Sequence, residues 1–148
     1  MQFYSTNRKT SPVSLREAVV RGLAADRGLF MPEVIRRFPP AFYQNMKEMT
    51  LREISFVVAE AFFGEDVEAG KLKEIVDETL NFDIPLVQVA DNRYSLELFH
   101  GPTLAFKDVG ARFMARLLAY FNKQEGERQV NVLVATSGDT GSAVANGF

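Results

Sequence analysis

Apolar positions in the first half of the chain recur at helical spacing. Behind Ser14-Leu15-Arg16-Glu17, whose spacing lets the serine hydroxyl meet the third backbone N–H while the glutamate reaches back, come Leu15, Ala18 and Val19. A short helix ending near Gly22 is predicted. Thr50-Leu51-Arg52-Glu53 repeats the device, and Leu51, Ile54, Val57, Val58, Ala61 and Phe62 make one apolar face that stops before Gly64. Another helix follows Gly70, with Leu72, Ile75, Val76 and Leu80 on one side and Lys71, Lys73, Glu74 and Asp77 on the other. Between the first two helices, Asp26 to Pro32 reads as an ordered loop pinned by Phe30, and Pro39-Pro40 reads as a stop.

After Pro85 the period changes. Leu86 to Val89 and Arg93 to Phe99 flank the turn-forming pair Asp91-Asn92, which predicts a β-hairpin with one face buried and one wet. A helix is predicted from about Asp108 to Asn122, with Val109, Phe113, Met114, Leu117, Leu118 and Phe121 as core; this puts Lys107 at its N-terminus. Gln124 to Gln129 is a polar turn. Val130 to Ala135 is a compact apolar run of the kind expected for a strand covered on both faces, which wants parallel neighbours. Few residues follow Gly141, so the parallel sheet is expected to be incomplete and the chain to be the N-terminal part of a longer protein.

Composition narrows the chemistry. The 148 residues are 47% hydrophobic and 24% charged, which excludes wholesale disorder, and a formal charge of −2 lacks the basic excess that nucleic acid or an anionic membrane selects. No cysteine is present, so disulfides, thiol redox chemistry and a cysteine nucleophile fall away. His100 is the single histidine, which leaves no paired-histidine metal motif; no metal is expected. Neither an N-terminal apolar leader nor a membrane-spanning stretch is visible, and a cytoplasmic location is expected.

Two segments carry candidate chemistry. Lys107 sits at the positive end of a helix beside Phe106, both of which disfavour its charged form and suit an amine that condenses with a carbonyl. The alternative is a surface lysine paired with Asp108. Ser137-Gly138-Asp139-Thr140-Gly141 joins the apolar run to small, helix-compatible residues; its glycines, free N–H groups and two hydroxyls make a cradle for a carboxylate, or else a well-capped helix start. His100 beside Gly101-Pro102 reads as a ligand contact or as a packed, hydrogen-bonded histidine.

In this order, Phe3-Tyr4-Ser5-Thr6, Gly22 to Pro32, Leu96 to Asp108 and Ala135 to Gly141 resemble threonine synthase, a family of fold-type-II pyridoxal-phosphate enzymes. The resemblance implies an α/β fold: a mostly helical region over 1–85, then, over 86–148, the hairpin, the Lys107 helix and the start of a cofactor-binding parallel-sheet domain. It implies that Lys107 forms a Schiff base with pyridoxal 5′-phosphate and, once displaced, shuttles protons. Asp139 would face the cofactor's ring hydroxyl, and Ser137, Gly138 and Thr140 would hold the substrate α-carboxylate. The implied reaction converts O-phospho-L-homoserine and water to L-threonine and phosphate by γ-elimination and β-hydration. The family's phosphate-gripping loop has no counterpart in this sequence, so the chain alone is expected neither to retain the cofactor stoichiometrically nor to turn over. Two rival readings are a non-catalytic module holding a small anionic metabolite, and a fragment that self-associates by swapping its apolar strand.

Overall fold

The computed structural model describes residues 1–126, 129–136 and 138–148. The chain divides into two compact units, Met1–Asp77 and Glu78–Phe148.

The first unit opens with a small antiparallel sheet, β1 (Gln2–Ser5), β2 (Val13–Ser14) and β3 (Phe30–Pro32), with β1 in the middle. Phe3 pairs with Val13 on one side and Pro32 on the other. The loop reading of Asp26 to Pro32 is therefore corrected at its end, where Phe30 to Pro32 add to β1. Buried Ser5 donates through Oγ to Asp26 Oδ1 at 2.6 Å, and the Lys9 and Gly28 amides donate to the same carboxylate at 2.9 and 3.0 Å. These bonds lock the strand to the turn, and a Cβ on Gly28 would overlap Ser5 Oγ.

Helix α1 (Leu15–Arg21) starts as predicted, with Ser14 Oγ accepting from the Glu17 amide, and ends on Gly22 at φ 70°. Helix α2 (Pro40–Asn45) departs from the expected stop at Pro39-Pro40: Pro40 occupies the first helical position, where a fixed φ and a missing N–H do no harm. Helix α3 (Leu51–Phe63) carries the full capping box between Thr50 and Glu53. In α4 (Ala69–Thr79), Leu72, Ile75 and Val76 are buried as the periodicity predicts, Leu72 completely. The Met1 ammonium lies 2.9 Å from Glu65 and 3.0 Å from Asp66, and Arg36 also bonds to Glu65.

The second unit holds a hairpin of β4 (Leu86–Ala90) and β5 (Arg93–Leu96), turned at Asn92 with φ 56°. The hairpin is as predicted, but β5 stops at Leu96 short of the expected Phe99, and its burial differs: all five residues of β4 are exposed, and Leu86, Val89, Tyr94 and Leu96 face solvent. Two strands without a covering layer have no interior to offer. Helix α5 (Lys107–Gln124) buries Leu117 and Phe121, while Met114 is exposed. Its buried stripe instead runs through Asp108, Arg112 and Ala115, one turn apart. Part of the predicted polar turn after it, Glu127 and Arg128, lies outside the described residues.

Val130 to Ala135 is not a strand. Among the described residues no other strand pairs with it, and a strand without a ladder leaves its backbone to water; Leu133 is 95% exposed. Helix α6 (Asp139–Gly147) follows and packs on α5 so closely that a Cβ on Gly147 would lie 3.1 Å from the Ala111 carbonyl oxygen. The fold is a mixture of helices and two small antiparallel sheets. No helix among the described residues is long and apolar enough to cross a membrane.

Candidate functional site

The predicted chemistry falls at the N-terminal ends of two helices of the second unit. Lys107 is the first residue of α5 and is exposed; its Nζ stands 4.7 Å from the Phe106 ring centroid. The Phe106 ring face thus lies within cation–π distance of the Lys107 side chain. The alternative pairing with Asp108 is absent. Asp108 is fully buried, and its two oxygens accept from Thr103: the backbone N–H at 2.9 Å and Oγ1 at 2.6 Å. Among the described residues, the Lys107 side chain makes no hydrogen bond or ion pair.

The loop that delivers Lys107 is tightly built. Leu104 has φ 57°, a left-handed conformation unusual for leucine, and donates to the Gly101 carbonyl at 3.1 Å. Gly101 is required by space, since a Cβ there would lie 2.5 Å from Asp108 Oδ2. His100 is exposed and its Nε2 lies 2.7 Å from Glu97 Oε2, so it is hydrogen-bonded but not packed away. One turn into α5, Arg112 donates to the Glu78 carbonyl at 2.5 Å and to Asn81 Oδ1 at 2.9 Å. Burial holds its guanidinium below the ordinary arginine range; Arg116 adds to this, whereas Asp108 and Glu78 oppose it.

At α6 the organising group is one that sequence reasoning missed. Thr136 Oγ1 accepts from the Gly141 amide at 2.9 Å and the Gly138 amide at 3.2 Å. Gly138 has φ 124°, where a side chain would be strained, and Asp139 opens the helix with its side chain exposed. Among the described residues, the N–H groups of Asp139 and Thr140 have no partner and remain at the positive end of the helix, a setting that favours an anion. Ser137 lies outside the described residues. The second overlooked pair is Thr103 and Asp108.

A family profile described as "Threonine synthase N terminus" matches residues 2–80. Threonine synthase of Serratia marcescens is 41% identical over the whole chain and that of Escherichia coli 38%, each with 34% of its own length covered. Among solved structures, a PLP-bound threonine synthase from Brucella melitensis superposes with a TM-score of 0.93 at 36% identity, covering all of this chain and 33% of that one. The Escherichia coli structure superposes at 0.90 and 38% identity. The chain belongs to the threonine synthase family. It spans about a third of the length of the curated relatives it matches.

Proposed function

We propose that these residues act as the N-terminal portion of a cytoplasmic threonine synthase that converts O-phospho-L-homoserine and water to L-threonine and phosphate with pyridoxal phosphate. On this reading the scaffold is of fold type II, with a largely helical region over 1–85 and the beginning of the cofactor-binding domain over 86–148. Lys107 would hold the cofactor aldehyde, Asp139 its ring hydroxyl, and Ser137, Gly138 and Thr140 the substrate carboxylate. The donor sets suit these roles: an exposed primary amine and, among the described residues, a helix end whose glycine, hydroxyl and unpaired amides fit a carboxylate. When bound, the cofactor supplies an electron sink for carbanions next to the substrate nitrogen. The chain's own residues orient the substrate at α6, while the Lys107 Nζ, when free, takes a proton from substrate carbon and returns it.

The observation that carries this reading is the exposed Lys107 amine on a chain that aligns over its whole length with threonine synthases. Incubation with pyridoxal phosphate, borohydride reduction and peptide mapping test it. The sequence contains five other lysines, Lys9, Lys47, Lys71, Lys73 and Lys123, as internal references. In a chimaera carrying these residues in place of the matching third of the Escherichia coli enzyme, label concentrated on Lys107 is expected, and even labelling across all six would refute the assignment.

A further inference from the structure

Helix α5 begins without a side-chain cap, because Phe106 offers no acceptor to the first-turn amides. An uncapped first turn frays, and Lys107 is its first residue. The tie that opposes fraying is Asp108, whose Oδ2 and Oδ1 bind the Thr103 amide at 2.9 Å and the Thr103 hydroxyl at 2.6 Å. These bonds close residues 103 to 108 into a ring, drawn in further by the Asp108 amide donating to the Ala105 carbonyl at 3.0 Å.

We infer that Asp108, acting through Thr103, is the positioning residue that fixes the Lys107 amine for carbonyl condensation. A fully buried carboxylate is expensive to retain when a neutral side chain would serve for packing, so its charge asks for a role. Here the charge acts twice. Its bonds to Thr103 hold the left-handed Leu104 in place, a conformation that would relax once released. The same bonds turn the nearest anion in sequence away from Lys107, one position being about a quarter-turn around a helix, and so leave the amine unpaired. A loop strained on one side and fastened on the other gives the amine a narrow range of positions. This inference rests on the assignment of Lys107 made above.

The test uses these 148 residues in a chimaera that replaces the matching third of the Escherichia coli enzyme, with pyridoxal phosphate as the probe, borohydride as the trap, and the label on Lys107 relative to the other five lysines of these residues as the readout. Thr103→Val keeps the amide bond and the side-chain shape but loses the hydroxyl; the Lys107 share is expected to fall about five- to tenfold. Thr103→Ser restores the hydroxyl and should bring the share back to within about twofold of the parent. Asp108→Asn should behave like Thr103→Val or worse; where it does not fold, the two Thr103 variants decide. A role in stability alone would lower the melting temperature and leave the label distribution unchanged, because reference lysines and Lys107 would suffer together. That result, or a serine variant as poor as valine, overturns the inference. Absence of any Lys107 preference in the parent chimaera would instead overturn the assignment of the lysine itself.

Discussion

Replacing Gly101 by alanine places a Cβ 2.5 Å from Asp108 Oδ2, 2.8 Å from its Cβ and 3.0 Å from its Cγ. The clash is with the root of a side chain anchored in the first turn of α5, so it cannot be relieved by swinging a flexible tip. Either the loop backs away from the helix, an overpacking strain of about 1–3 kcal/mol, or Asp108 turns and leaves its bonds to Thr103, at about 1–3 kcal/mol for an unsatisfied buried group. A gross cost of about 2–3 kcal/mol is offset by about 0.4–1 kcal/mol because alanine narrows the unfolded ensemble. The net expectation is about 2 kcal/mol, or roughly a 30-fold loss in the ratio of folded to unfolded chain. Urea unfolding followed by circular dichroism measures the first quantity, and hydrogen exchange of peptides covering 100–112 shows whether the loss is local. A variant within about 0.5 kcal/mol of the parent, with unchanged exchange there, would refute the packing account.

Five further outcomes are expected. Leu72→Ala, at a fully buried position, should cost about 2–5 kcal/mol in urea unfolding, and a value below 1 kcal/mol would show that the site collapses freely. Thr79→Val should be neutral or stabilising by up to about 1 kcal/mol, since the buried Thr79 hydroxyl has no partner; a clear loss in melting temperature would indicate a bond not recognised. Asp26 is held below the usual carboxylate range chiefly by the Ser5 hydroxyl, so its contribution is present above its unfolded value of 3.8 and lost as pH falls through the depressed folded value; Asp26→Asn should flatten the acid limb of a melting curve against pH. The Met1 ammonium is raised, first by Glu65 and then by Asp66, so its contribution is present below 8.0 and lost as pH rises through the raised value, and acetylation should remove that alkaline limb. Lastly, a chimaera carrying these residues in place of the matching third of the Escherichia coli enzyme should release phosphate from O-phospho-L-homoserine, and Lys107→Ala should abolish this release; survival of activity in the variant would exclude the lysine.

What was legible in the sequence was local. The serine cap at Ser14, where the Glu17 side chain does not complete the box, the full box at Thr50, the buried stripe of α4 and the turn at Asn92 depend on residues within a few positions of one another. The small sheet was missed because its pairing of Phe3 with Pro32 joins distant segments, and neither strand is long enough to announce itself. Val130 to Ala135 failed for the reverse reason: its composition suits a strand, but a strand exists only through its neighbours. At the site, Lys107, Asp139 and the glycines were readable as residue types. The hydroxyls of Thr103 and Thr136 were not, because their importance lies in which way they point.

The uncovered run from Gln129 to Ala135 contains neither a formal charge nor a proline. Handling of the purified chain will therefore be governed less by its overall electrostatics than by this short adhesive tract, since such segments are prone to seed fibrils and precipitates. A lysine introduced at Leu133, whose side chain is already bathed in solvent, is the least disruptive gatekeeper available.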